Sequence, residues 1–394
     1  MATTRRAILL STGALAGASL LPTGAAPSPA EAQEADPIPG TVQEALSIWD
    51  LKAMARERLP LAAWTNIVGA SADEITMGWN RKSYDEIRLR PRVMVDPRGI
   101  DMSTTLFGQK LNLPILLGPT GGHRSTHPEG ELATVRGASQ AGAIMVVSTV
   151  SSTAVEEIAA LATEPLWFQL YVLRDRVLTR DLVLRAEAAG CKALCVTVDT
   201  ASTGPRNRQD RGRFRGIPGG GRGLPHLQGM KRPDTIESDI FSTARDPNVT
   251  WKDVDWLRSI TRMPLVLKGV LDPADAEQAV KEGVDGIIVS NHGGRNLDTS
   301  QATVAALPEI VERVDGQIPI LIDGGIRRGT DVLKAIALGA RAVLIGRPYR
   351  YGLAAGGAPG VARTVNILKR ELEMAMANTG RTSIAQIDRS VLWL

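Results

Sequence analysis

Hydrophobic residues in this chain arrive in short unbroken bursts rather than in alternation. Eight bursts recur: PILLG (114–118), AIMVV (143–147), LWFQLY (166–171), ALCVTV (193–198), PLVLK (264–268), GIIVS (286–290), PILID (319–323) and AVLIG (342–346). Continuous apolar runs of this length predict strands covered on both sides, and therefore a parallel sheet. The stretches between them carry Ala, Leu and charged residues in helical rhythm, as crossover helices require. Eight strand–helix units predict an α/β fold of the (β/α)8 TIM-barrel type. An open doubly wound sheet would carry G-x-G-x-x-G after its first strand, and the chain has none.

Two segments depart from the rhythm. Residues 41–88 read as a helical segment, with Thr41 the predicted N-cap of VQEALSIWDLKAMARERL and Pro60 its stop. After the fourth burst, the loop 200–250 contains ASTGPRNRQDRGRFRGIPGGGRGLPHLQG, rich in Arg, Gly and Pro and without a period. On the barrel reading it follows strand four at the catalytic face, so a mobile lid is expected, with plain disorder the alternative.

Composition narrows the class without changing it. A chain of 394 residues, 43% hydrophobic, can bury one barrel-sized core. Its net charge of +4 is too weak to argue for nucleic acid, and no zinc-finger or RNA-binding signature is present. No metal site is predicted. Cys191 and Cys195, the only cysteines, sit four residues apart along one strand, too far to bridge. TTRRAILLSTGALAGASLLPTGAAPSPAEA pairs Arg5 and Arg6 with a stretch too short and too rich in small residues to span a membrane. It predicts a twin-arginine export signal over 1–32, ending at Ala30-Glu31-Ala32, then a linker over 33–40 and the barrel over 41–394. The mature chain is expected in the periplasm without a membrane span, a cytoplasmic location being the alternative.

Barrels of this kind do chemistry at the C-terminal ends of their strands. Those ends here carry Pro119-Thr120-Gly121, Ser148, Gln169 with Tyr171, and Thr197 with Asp199. The later ends carry Lys268, Ser290 with His292 and Arg295, Asp323-Gly324-Gly325, and Gly346-Arg347. Polar or glycine positions at every end describe a ring around a polar ligand. DGGIRRGTDVLKAIALGA followed by AVLIGR places glycine turns after strands seven and eight, where such barrels bind phosphate, with Arg327 and Arg347 completing the site. Lys268 ends a buried strand and needs a partner, either a structural ion pair or an electron-rich part of a cofactor.

His292, one of four histidines, shares this face with Arg295, Arg206, Tyr171 and Asp199. A carboxylate beside the imidazole would orient it and favour its protonated form, as a general base requires. Two arginines would hold a carboxylate through paired hydrogen bonds. Base, clamp and phosphate-bearing cofactor together point to oxidation at the carbon beside a carboxylate.

The motifs RPRVMVD, HPEGE, FQLYV, TVDT, LKGV, SNHGGRNLD and DGGIRRGTDVLKAIALGA occur in that order. With them the chain, from about residue 43 onward, resembles the FMN-dependent α-hydroxy acid oxidases and dehydrogenases, the group of glycolate oxidase, lactate oxidase and mandelate dehydrogenase. The resemblance implies FMN, with Pro119, Thr120, Gly121, Ser148, Gln169 and Thr197 lining its ring and ribityl side. It implies Lys268 and Ser290 at the ring and chain, and Asp323, Gly324, Gly325, Arg327, Gly346 and Arg347 at ribityl and phosphate. His292 would be the base, Asp199 its partner, Arg206 and Arg295 the carboxylate pair, and Tyr171 the phenol bonding the substrate hydroxyl.

The implied reaction turns a 2-hydroxy acid into a 2-oxo acid, with electrons passed from FMN to oxygen, a quinone or a cytochrome, in a homo-oligomer of tetramer size or larger. Three positions depart from the family: Asn66 stands where a tyrosine is usual, Val150 replaces a pocket aromatic, and Gly121 replaces a common alanine. They imply a bulkier 2-hydroxy acid or an amine-bearing carbon. The alternative is an FMN-binding member with redirected or lost activity. A barrel of the inosine-monophosphate dehydrogenase type shares the phosphate pattern but needs a catalytic cysteine loop, and both cysteines here lie at strand four.

Overall fold

The computed structural model describes residues 37–212, 223–231, 233, 235, 238 and 240–393. The predicted export signal, residues 33–36 of the linker and the Arg/Gly-rich centre of the 200–250 loop lie outside the described residues.

Eight parallel strands close into a barrel, each beside the next and the last beside the first. They are β1 (Ile115–Leu117), β2 (Met145–Ser148), β3 (Leu166–Leu170), β4 (Leu194–Thr197), β5 (Leu265–Val270), β6 (Gly286–Val289), β7 (Ile320–Ile322) and β8 (Ala342–Ile345). Every predicted burst contains or overlaps its strand, because two buried faces favour an unbroken apolar run, with the polar side chains Ser148, Gln169, Thr197 and Lys268 held to the C-terminal ends. One set of residues, including Leu116, Val146, Trp167, Cys195, Val266, Ile288, Leu321 and Leu344, forms a cluster of its own. These fill the barrel, and Leu106 and Leu111 of the hairpin Thr104–Leu106/Gln109–Leu111 join them. The alternate strand residues, such as Ile115, Val147 and Phe168, pack outward on the helices. Each such aliphatic side chain contributes roughly 1.5–3 kcal/mol by leaving water.

The helices in chain order are α1 (Ile48–Arg58), α2 (Leu61–Val68), α3 (Ile75–Glu86), α4 (Glu131–Gln140), α5 (Val155–Ala159) and α6 (Arg176–Ala188). They continue as α7 (Asn207–Arg211), α8 (Lys252–Arg258), α9 (Pro273–Lys281), α10 (Thr303–Val314), α11 (Gly329–Ala337) and α12 (Arg347–Asn378). The segment before the barrel is helical as expected, but its start is not Thr41. The helix begins at Ile48 because Ser47 and Asp50 form a reciprocal capping box, with Ser47 N–H donating to Asp50 Oδ2 at 2.9 Å. Thr41 belongs to a turn whose N–H groups are taken by Glu44. Pro60 does close the first helix, and Gly69 closes the second.

Helix α12 is bent at Gly356 and Gly357, whose backbone is non-helical, two residues before Pro359. Gly352 and Gly360 lie so close across that bend that a Cβ on either would overlap the other's carbonyl. The last helix is thereby folded against α1 and α4 while its first turn faces the mouth of the barrel. Cys191 and Cys195 are buried thiols without a disulfide, and burial pushes both up to about 12. No helix among the described residues is long and apolar enough to cross a membrane.

Candidate active site

A cavity of about 430 Å³ opens at the C-terminal strand ends. Its wall takes Pro119, Thr120 and Gly121 after β1, Ser148 from β2, Tyr171 after β3 and Lys268 from β5. His292 and Arg295 enter after β6, Asp323, Gly324, Gly325 and Arg327 after β7, and Gly346 and Arg347 after β8. The loop after β4 adds Arg206, with Thr203, Leu227, Ser242, Ala244 and Arg245 beside it. So the loop lines the catalytic face where it is described, and its Arg/Gly-rich centre lies outside the described residues.

Gln169, Thr197, Ser290 and Asp199 stand directly behind the wall. Gln169 accepts from Ser148 Oγ at 3.0 Å and donates to Thr197 Oγ1 at 2.9 Å. Ser290 Oγ accepts from Lys268 Nζ at 2.9 Å and from the backbone N–H of His292 at 3.1 Å. Asp199 holds His292: its Oδ1 lies 3.0 Å from Nδ1. With Nδ1–H donated to Asp199, Nε2 is the nitrogen left as base. The loop can place it because three successive residues are left-handed, His292 at φ 57°, Gly293 at 64° and Gly294 at 73°. At Gly294 a Cβ would come within 2.8 Å of Met77 N, so the tight turn and the docking of α3 both demand glycine. Asp199 in turn occupies the space over Gly269, where a Cβ would meet its Cγ at 2.6 Å; the β5–β6 register shifts at this residue.

Burial holds the His292 imidazole below its usual value, Asp199 opposes that, and the Lys268 ammonium adds to it. The sequence expectation that Asp199 favours the cation is right in sign, but desolvation outweighs it. Burial would raise the Asp199 carboxyl, yet His292 and Lys268 together keep it low. Burial also raises the Tyr171 hydroxyl, so the phenol stays protonated. Lys268 has a structural partner, Asp323 Oδ2 at 3.1 Å. Desolvation would weaken its charge, but Asp323 and Asp199 hold its affinity for protons above the ordinary lysine value.

The arginines are crowded. Arg295 Nη1 donates to the carbonyls of Asn66 (2.9 Å) and Gly69 (2.7 Å). Arg347 donates to Ile67 O (3.0 Å), Gly69 O (2.9 Å) and Gly293 O (3.0 Å), so its hydrogen bonds tie the N-terminal segment to the β6 loop. Arg206 Nη1 donates to Arg295 O. Burial and mutual repulsion push Arg295 and Arg347 down to about 9 and Arg206 to about 10, and burial lowers Arg327 too. All are cations at neutral pH, and an anion among them would relieve the strain.

Three features fit a phosphate-bearing polyol cofactor. Asp323 Oδ1 is buried without a hydrogen-bond partner, as an acceptor awaiting a hydroxyl. Gly324 (φ 94°) and Gly325 (φ 83°) carry the chain past Asn80 and Thr303 where any Cβ would clash. Helix α12 begins at the cavity wall, which Gly346, Arg347 and Arg350 line. Asp331 fixes this region, accepting from the N–H groups of Arg327 (2.8 Å) and Arg328 (2.9 Å) and pairing with Arg81.

Sequence reasoning missed Arg245, Arg350 and His123. Arg350 stands one turn after Arg347 and binds Gly121 O at 2.8 Å and Thr120 Oγ1 at 3.1 Å; helical spacing from Arg347 was the available signal. Arg245 lies in the aperiodic loop, which offered none. His123 is fully buried, with Nδ1 on Thr134 Oγ1 (2.9 Å) and Nε2 on Thr120 O (2.9 Å), so neither nitrogen is free to act as a base.

The sequence pattern of the family described as FMN-dependent dehydrogenase matches residues 55–394. A peroxisomal (S)-2-hydroxy-acid oxidase of Oryza sativa subsp. japonica is 47% identical, covering 88% of this chain and 95% of its own. An L-lactate oxidase of Nostoc sp. is 43% identical, covering 90% of this chain and 99% of its own. Among solved structures, a mandelate oxidase with benzoyl-formic acid superposes with a TM-score of 0.78 at 38% identity, over 89% of this chain and 98% of that one.

Proposed function

The chain belongs to the FMN-dependent dehydrogenase family, and on that footing we propose that it oxidises a 2-hydroxy acid to the corresponding 2-oxo acid with FMN as cofactor. The observation that carries the reading is His292, oriented by Asp199, facing a cavity with arginines on one side and an anion-seeking glycine turn on the other.

Arg206 and Arg295 each commit Nη1 to backbone carbonyls, and no further partner of either guanidinium is present among the described residues. Their remaining N–H groups suit a substrate carboxylate. Tyr171, kept protonated, donates to the substrate hydroxyl oxygen. His292 Nε2 takes the substrate proton, and Asp199 stabilises the imidazolium that results. With one of the two hydrogens leaving as that proton, FMN, when bound, would supply the acceptor for the two electrons and the second hydrogen. Lys268, with Ser290, would stand by its ring, Asp323 Oδ1 would accept from a ribityl hydroxyl, and Arg327 with the α12 N-terminus would hold its phosphate.

Oxygen is the proposed acceptor, supported by the oxidase names of the relatives and by Gly121, the smallest residue possible beside Val150. We further propose export through the Arg5-Arg6 leader with cleavage after Ala32, which N-terminal sequencing of the periplasmic protein would check, and assembly as a tetramer or larger, which sizing would check. Anaerobic bleaching of the bound flavin by a panel of 2-hydroxy acids tests the main reading. His292→Ala should retain FMN but slow bleaching by about 10²–10⁴-fold; bleaching at the parent rate would remove His292 as base.

A further inference from the structure

We propose that the substrate carries a second carboxylate at the end remote from its reacting carbon, a 2-hydroxy dicarboxylate, and that Arg245 with Thr203 forms the subsite that selects it. This rests on the 2-hydroxy acid reading and names the substrate class of that same pocket.

Arg206 and Arg295 account for one carboxylate. Arg245 lines the same cavity and is not needed for it. Its guanidinium lies 5.4 Å from the centroid of the Tyr171 ring, beside the phenol assigned to the substrate hydroxyl. Its Nη2 donates to Thr203 Oγ1 at 2.8 Å, and no carboxylate pairs with it among the described residues. The contrast with Arg176 on the same side of the fold is direct: that residue binds Asp246 and Asp253, each at 2.6 Å. A half-buried cation facing a cavity with a hydroxyl and an aromatic ring beside it, but no carboxylate, lacks its counter-charge.

Arg245 is also held in place. Leu173 and Arg245 form an antiparallel bridge beyond the end of β3. Arg174 N–H donates to Ala244 O at 2.9 Å, and Asp246 N–H donates to Val172 O at 3.0 Å. Ser242 Oγ accepts from the N–H groups of Ala244 and Arg245, each at 3.1 Å. This pairing fixes the backbone of Arg245, and Thr203 with the Tyr171 ring holds its guanidinium at the mouth, which lowers the ordering cost of binding.

The same wall takes Asn66, whose amide oxygen accepts from Gln209 at 2.9 Å, and Val150, which lies against Gly121. An apolar substrate tail would set methylenes against Arg245 and Thr203. A distal carboxylate would accept from both, since the Thr203 hydroxyl accepts from Arg245 and still has its own hydrogen to donate.

The full-chain holoenzyme tests this with acids matched in carbon count: (S)-2-hydroxyglutarate against (S)-2-hydroxypentanoate, and (S)-malate against (S)-2-hydroxybutanoate. The diacid of at least one pair should reduce the flavin with kcat/KM higher by about fivefold or more, the gain lying in KM. Arg245→Gln should collapse that ratio and Arg245→Lys should retain part of it. Without turnover, flavin absorbance titrated with 2-oxoglutarate and 2-oxopentanoate should show the same gap in Kd, closed by Arg245→Gln. Monocarboxylates used as well as or better than the diacids in both pairs, or a ratio unmoved by Arg245→Gln, would overturn the inference alone. Flavin reduced by no 2-hydroxy acid would overturn it together with the reading it rests on.

Discussion

At His292 burial favours the neutral imidazole and Asp199 favours the cation, and the net displacement is downward from 6.5. A base works in its neutral form, so the rate of flavin reduction should rise with pH and reach half its plateau below pH 6.5. Asp199→Asn removes the group that holds Nδ1–H and the charge that favours the imidazolium. It should slow reduction by roughly 10²-fold or more and carry the acid limb still lower, read from stopped-flow traces across pH. His292, Asp199 and Arg295 could be found in the sequence because each follows a buried strand, where position along the chain already states position in space. Arg245 could not, because it sits in a loop without period, and Arg350 was legible only through its helical spacing from Arg347.

The strands were readable because their constraint is local: two covered faces force an apolar run whatever the rest of the chain does. Helix starts are different. Thr41 and Ser47 are both acceptable caps by type, each with an acidic partner three residues on, and the sequence does not decide between them. Glycines that separate packed elements carry no local signal at all. Gly360 in α12 is one of these, and Gly360→Ala would drive a methyl into Gly352 O. It should cost about 1–3 kcal/mol of stability by denaturant melting without changing which acids are oxidised. Gly325→Ala should act elsewhere. Its left-handed backbone and the Asn80 carbonyl both exclude a side chain, so the turn after β7 must open: FMN retention should fall, and the apoprotein should itself lose about 1–3 kcal/mol by denaturant melting.

For the molecule as a whole, the arginines around the cavity make the apoprotein a store of unbalanced positive charge. FMN at a hundredfold excess over its Kd should stabilise the fold by about 2.7 kcal/mol, and thermal melting with and without FMN measures it. Inorganic phosphate should recover part of that gain in the apoprotein where equal ionic strength of chloride does not. Acid should act through His123, which burial and Arg350 push down to about 4 against Glu131. A histidine depressed in the fold takes its proton more readily when unfolded. Its share of stability is therefore present above 6.5 and lost as pH falls toward 4, and His123→Gln should flatten that slope. Architecture at this scale was legible from eight repeats, whereas the docking of the N-terminal segment was not, because its anchors are backbone carbonyls that any residues could supply. Those carbonyls, at Asn66, Ile67 and Gly69, are held by Arg295 and Arg347. On the ribosome the acceptors are made first and their donors hundreds of residues later. The three bonds from Arg347 therefore cannot form until the eighth strand has been made, although Arg295 is available to the segment earlier.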